Sequence, residues 1–151
     1  MPSDLPNYVS SNSGEWIVVK ENKKSARFRN PSKGLAAILT VRVDGGMIQS
    51  GARADFIVAH PELVDVVVEL KGSDVGKAIQ QIRATLPLWR QHRLAGKTHA
   101  ALIVRGQGVH LKATLKTETL AKRFREEFKM KLLIETRNRD YEFAEFLPEK
   151  P

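Results

Sequence analysis

An acid and a base stand two residues apart at the end of an apolar run, Val64-Asp65-Val66-Val67-Val68-Glu69-Leu70-Lys71. In an extended strand successive side chains face opposite sides, so Glu69 and Lys71 share a face. Val66, Val67, Val68 and Leu70 make the run apolar on both sides, the pattern of a strand buried on both faces. Charged groups at the end of such a strand are costly unless they are paired or bound to a cation.

The preceding strand, expected over Arg53–Ala59, supplies a partner. If residues 60–64 connect the two strands and 59 pairs with 65, then 57 lies opposite 67, 55 opposite 69 and 53 opposite 71. Asp55 then faces Glu69, and two facing carboxylates repel. A divalent cation between them reverses that sign, and Mg²⁺ typically takes one or two carboxylates together with substrate phosphates. Lys71 would stand beside it, placed to steady a phosphate or help activate a water. A slip of one residue in the register would separate the acids. The same Glu-X-Lys spacing recurs at Glu21-Asn22-Lys23 and Glu127-Phe128-Lys129, the first in a hydrophilic stretch and the second on an expected helix. Only Glu69-Leu70-Lys71 has strands before it and a helix after it. The plainer alternative is a strand-end ion pair, which contributes little.

The elements that must position these groups follow from pattern. Residues 1–14 hold two prolines, four serines and two asparagines and read as a flexible arm. Strands are expected at Trp16–Val19, within the basic stretch Lys20–Lys33, at Leu35–Val43, and at Asp65–Lys71 after Arg53–Ala59. Asp44-Gly45-Gly46 carries the turn chemistry of a hairpin. Ser73 is a candidate N-cap for a helix with Val75, Ala78, Ile79, Ile82 and Leu86 on one face, which Pro87 should end or kink. His99–Arg105 reads as a strand closed by Gly106-Gln107-Gly108. Thr117 is expected to cap a second helix through Leu120, Ala121, Phe124 and Phe128, before a last strand at Lys131–Thr136. The order predicts an α/β (α+β) class: a single domain over residues 15–147, a central mixed sheet flanked by helices, and a tail at 148–151.

Composition narrows the partners. The 151 residues carry 25 Lys plus Arg against 17 Asp plus Glu, a formal net charge of +8. So basic a chain points to a polyanion. Cysteine is absent, which excludes disulfide scaffolds, zinc ribbons and thiolate nucleophiles. His60, His92, His99 and His110 have no metal-ligand spacing. No segment approaches a membrane span and the start lacks a signal-peptide pattern, so no membrane partner and a cytoplasmic setting are expected. Lys20, Lys23, Lys24 and Arg27, with Arg83, Arg90, Arg93 and Lys97 just past the motif, are the candidate nucleic-acid contacts, expected to flank one substrate groove.

With Asp55 and Glu69-Leu70-Lys71 followed by Gly72-Ser73-Asp74 and the helix Lys77–Ile82, the chain resembles the PD-(D/E)XK nuclease superfamily. The likeness covers roughly residues 40–136, counted by the strand and helix order around the motif. It implies a restriction-endonuclease-like core and an endonuclease acting on DNA, with Mg²⁺ as cofactor and Mn²⁺ as a substitute. Asp55 and Glu69 match the metal-binding acids, the backbone carbonyl of Leu70 a further ligand, and Lys71 the catalytic lysine. Gln81 or Gln80 would match a helix residue that projects toward the site. Ala54 stands where the name-giving motif has proline. An early acid, Glu15 or Asp44, would complete the set. A cut across both strands needs two such sites, which a homodimer would supply. The alternative is a non-catalytic nucleic-acid-binding module on the same fold.

Overall fold

A computed structural model describes residues 4–21, 24–31, 36–70, 74–105, 111–136 and 138–148. Its strands are β1 (Val9–Asn12), β2 (Trp16–Glu21), β3 (Lys24–Arg29), β4 (Ile38–Arg42), β5 (Phe56–His60), β6 (Val64–Glu69), β7 (His99–Val104), β8 (Leu132–Glu135) and β9 (Asp140–Glu142). Helix α1 spans Val75–Arg90, α2 spans Leu111–Phe128, and a 3₁₀ turn follows at Phe143–Phe146. Six strands form one mixed sheet in the order β1-β4-β5-β6-β7-β8, parallel from β6 to β8 and antiparallel elsewhere. A second sheet, β2-β3-β9, has three strands. No helix among the described residues is long and apolar enough to cross a membrane.

The pleat divides the core into two layers. Ile57, Ala59, Val67, Ala101 and Ile103 pack against Ile82, Leu86 and Trp89 of α1 and Phe124 of α2. Val58, Val66, Val68, Ala100, Leu102 and Val104 pack against Ile17, Phe28, Tyr141 and Phe146. Hence β6 is buried at every position, as its run of valines requires. The two helices cover one face only. The small sheet covers the other, where the sequence pattern had suggested helices flanking the sheet. Its β9 was unforeseen because Asp140-Tyr141-Glu142 is short and charged. Burial pushes the Tyr141 hydroxyl there up to about 12.

Four local expectations are corrected. Residues 9–12 of the supposed arm form β1, paired with β4 from Val9↔Val41 to Asn12↔Ile38. The turn at Gly45, whose φ is 78, opens a connection of residues 43–55 rather than a tight hairpin. It folds back through Gly46 N–H to the Val43 carbonyl and Ile48 N–H to the same oxygen. Asp74, not Ser73, caps α1: its carboxylate accepts the Lys77 N–H at 3.1 Å, and Ser73 lies outside the described residues. Helix α2 begins six residues before Thr117, which sits inside it and is buried.

Pro87 stays inside α1. A helical proline forfeits a backbone bond and typically costs about 3 kcal/mol. The last turn is tied down from outside: the Trp89 indole N–H donates to the Asp65 carboxylate at 2.8 Å, and Gly96 N–H donates to the same oxygen at 2.8 Å. A Cβ on Gly96 would stand 3.3 Å from the Asp65 carboxylate, so the loop approaches as only glycine can without displacement. Asp65→Ala would leave the buried Trp89 N–H and the half-buried Gly96 N–H without this acceptor, at about 1–3 kcal/mol for the buried one and less for the other. Urea unfolding should show a loss of ~2 kcal/mol, against little change for an exposed substitution such as Glu126→Ala.

Two histidines impose a pH dependence. His60 Nδ1 accepts the Glu62 N–H and His92 Nδ1 the Leu94 N–H, each at 3.2 Å. Both rings are therefore neutral and protonated at Nε2, with His92 Nε2 3.1 Å from the Tyr8 hydroxyl. Burial, first of all, holds both pKa values below the usual histidine range; Arg93 adds to this at His92, while Glu62 opposes it at His60. The unfolded chain thus takes up these protons first as pH falls, so their stabilisation is complete above about pH 6.5 and is lost below it. Tm should drop between about pH 7 and pH 5, and the drop should shrink in a His60→Gln/His92→Gln double variant.

Candidate functional site

The β5–β6 ladder has Ala59 opposite Asp65, Ile57 opposite Val67 and Phe56 opposite Val68, the register expected from the connection at 60–64. One residue further along, Asp55 N–H donates to the Val68 carbonyl at 3.2 Å, so Asp55 comes beside Glu69. Both belong to the helix-facing set of alternate residues with Ile57 and Val67. Asp55 is 1% exposed and Glu69 fully buried. The Leu70 N–H donates to Asp55 Oδ2 at 2.8 Å, which turns that carboxylate across the strand ends toward the peptide after Glu69.

A second contact fixes the entry to β5. Ala54 N–H donates to Thr85 Oγ1 at 2.9 Å, and that hydroxyl donates to the Gln81 carbonyl at 2.8 Å. Thr85 is fully buried. Helix α1 thus grips the residue before Asp55 through a buried hydroxyl one turn beyond Gln81. Of the two glutamines, half-buried Gln81 lies on the Thr85 side and Gln80 is exposed. Nothing in the apolar periodicity marks Thr85, because a buried threonine occupies a core position in the same stripe as Ile82 and Trp89.

The two early acids separate. Asp44 is near the pair: its N–H donates to the Asp55 carbonyl at 3.4 Å, and its carboxylate accepts from Arg53 Nε at 2.6 Å. Glu15 precedes β2, where its carbonyl accepts the Asn30 N–H, at the end of the β2–β3 pair remote from Glu21↔Lys24. Lys71 and Lys23 lie outside the described residues. Among the described residues no three His, Asp or Glu side chains form a metal-holding group. Asp55 and Glu69, set by register beside each other at neighbouring strand ends with Asp44 one backbone bond away, carry hard oxygens of the kind Mg²⁺ and Mn²⁺ accept.

The basic residues divide between the two ends of the sheet. Lys24 Nζ donates to the Arg105 carbonyl at 3.3 Å, at the end of β7 where Ile103 pairs with Glu69. Lys20, exposed, lies opposite Ser25 in the same hairpin. Arg105 itself, 5% exposed and two residues beyond Ile103 on the same face, was missed as a candidate. Its signal was available, because a charge closing a buried strand is the argument already applied to Glu69. Arg27 is committed elsewhere, bidentate to Asp140 at 2.8 Å and over the Trp16 ring at 4.0 Å. Arg83 pairs with Glu127 at 2.7 Å, and Arg93 bonds the Asp4 carbonyl at 2.9 Å. Arg90 and Lys97 line a hollow beside His99, the partner of Asp65 at the start of β6. That end lies four residues from Glu69, about 13 Å along the strand. Arg90 and Lys97 thus lie at the end of the sheet away from the carboxylate pair, while Arg83 and Arg93 are engaged with Glu127 and Asp4.

Thr85→Val should leave the Ala54 N–H unsatisfied in the core and lower unfolding free energy by about 1–3 kcal/mol. Thr85→Ser, which keeps the hydroxyl, should recover most of the bond, as read by chemical denaturation of the three proteins in parallel. No family model, curated protein or solved structure matches this chain.

Proposed function

We propose that this chain is a Mg²⁺-dependent nuclease that hydrolyses DNA phosphodiester bonds, with Mn²⁺ as a substitute. The observation that carries the proposal is the register that places buried Asp55 beside buried Glu69 at the strand ends. Two carboxylates sharing one position favour a cation between them. Bound there, the ion would supply Lewis-acid stabilisation of a phosphate oxygen and lower the pKa of the attacking water.

The chain's own residues do the rest. Asp55 and Glu69 hold the ion, Asp55 steadied by the Leu70 N–H and by the Thr85 grip on Ala54. The Leu70 carbonyl is a further ligand. Lys71 orients the water or the phosphate, and Gln81 positions the phosphate from α1. Lys20 and Lys24, at the hairpin end nearest Arg105, hold the DNA backbone, with affinity that falls steeply with salt. A nucleic-acid-binding module without catalysis is the second reading. It is favoured by the lack of a third metal-holding side chain beside the pair among the described residues.

Linear, branched and single-stranded DNA, incubated with and without Mg²⁺, separates the two. Cleavage that requires the ion is the expected result, and binding indifferent to it with no cleavage establishes the module. Asp55→Ala or Glu69→Ala should abolish cleavage while the protein stays folded. In single-turnover cleavage at saturating Mg²⁺, Lys71→Ala should keep DNA binding but lose about 10²–10⁴ in rate, the range of a positioned proton-transfer group. Lys71→Arg should not restore it, because guanidinium is planar and effectively never deprotonated. Parental rates in Lys71→Ala would remove that residue from the mechanism.

A further inference from the structure

The hollow at the other end of the sheet is lined by Arg90, Lys97, Lys129 and Lys131 around His99 and has a volume of about 220 Å³. No acidic side chain lines it among the described residues. It continues on one side into a hollow that shares Lys97 and Thr98, and on the other into one that shares Lys129 and Lys131 and adds Arg125. Together the three make a trough. Glu62 stands in its far arm, and Asp65, 2% exposed, is already bonded to Trp89 and Gly96.

Helix ends alone do not account for this charge. Helices α1 and α2 both finish here, and cations at helix C-termini offset the dipole. Two such ends amount to about one negative charge in total, whereas Arg90, Lys97 and Lys129 all line the hollow, and Lys97 and Lys129 lie outside either helix. Elsewhere five arginines are matched: Arg27 with Asp140, Arg29 with Glu142, Arg53 with Asp44, Arg83 with Glu127, Arg139 with Glu145. Arg90, Lys97 and Lys129 enter no ion pair among the described residues.

Lys129 adds an independent sign. It follows α2 with φ 54, the left-handed conformation that normally falls to glycine at a helix end. Its N–H donates to the Arg125 carbonyl at 2.9 Å, as that cap requires. A lysine kept where glycine would be easier points to a use for its side chain. His99, its side chain 10% exposed, lines the same hollow with Nε2 3.6 Å from the Asp65 carboxylate.

We propose that this trough binds phosphate oxyanions, held by Arg90, Lys97 and Lys129 over the His99 edge. Its continuation into two further hollows suits a chain of phosphates, so a nucleic-acid strand is the favoured source over a free phosphate. The proposal does not rest on the nuclease reading, since the trough is about 13 Å from Glu69 along β6.

The test follows backbone amide shifts of the ¹⁵N-labelled full chain at fixed ionic strength, with inorganic phosphate in one arm and a hexathymidylate strand in the other. Thr98, His99, Met130 and Lys131 should shift in both arms, with the strand binding at least tenfold tighter. Equal affinity would keep the site and assign it to small phosphates. Lys97→Gln combined with Lys129→Gly should weaken binding at least tenfold. Lys129→Gly relieves the left-handed lysine, so its Tm should match or exceed the parent's and loss of binding is not loss of fold. Glu69→Gln should leave the trough's binding unchanged, which separates this result from failure of the carboxylate site. No shift at those amides in either arm, or unaltered affinity in the double variant, overturns the proposal.

Discussion

Both faces of β6 are covered, and every charge on that strand must be answered by a group brought to it. Asp65 at one end is answered by the Trp89 indole and the Gly96 amide. Glu69 at the other end lies beside Asp55, a second acid that takes the Leu70 N–H and that adds to the demand for a positive charge there. Water solvates neither acid, since each is no more than 2% exposed. The fold around the strand is in large part the means of meeting this demand: α1 delivers Trp89 to one end and Thr85 to the entry of β5 at the other, and the hairpin of β5 and β6 sets the register. A buried polar group without a partner costs enough that these contacts are obligatory.

The register was legible because a short connection and strict alternation leave little choice: pairing 59 with 65 follows once the chain between them is a tight link. The position of Asp55 beside Glu69 on the helix-facing side follows from it. What the sequence concealed were contacts that join segments far apart in the chain. Pro87 reads as a breaker locally, yet α1 runs through it because its last turn is anchored to Asp65, 24 positions away. Thr117 has the type of a cap, and the apolar residues ahead of it, Leu111, Ala113 and Leu115, alternate as in a strand, so the earlier start of α2 was masked. Val9–Asn12 is polar enough to pass for an arm, and only the edge of β4 makes it a strand. A lone polar residue in an apolar stripe, such as Thr85, looks like a tolerated substitution until the amide it serves is in view.

The net charge of +8 divides unevenly. Arginines of the small sheet are held in bonds between strands, as with Arg27 and Asp140, and work as cross-links rather than as a field. Arg90, Lys97 and Lys129, which enter no ion pair among the described residues, gather at helix and loop ends around a hollow that no acidic side chain lines. Overall basicity therefore indicates a polyanion more weakly than the placement of its few unmatched members. Of the stretch 83–97, Arg83 and Arg90 share the Phe128 ring while Arg93 turns to Asp4, so adjacency in sequence does not by itself make one patch.

The parallel pairing of β9 with β3 has a consequence for how the chain comes together. Arg27 and Asp140 are 113 positions apart, so the layer over the second face closes only after nearly the whole chain has been collected. Joining such distant segments is entropically expensive and slows folding. On a ribosome the valine face of β6 and the ring of Phe28 would wait uncovered until residue 140 had emerged. During that interval they form an apolar surface of the kind chaperones hold and aggregates nucleate on. The brief β9, with its charged flanks and the aromatic turn behind it, is the latch on a core built long before it.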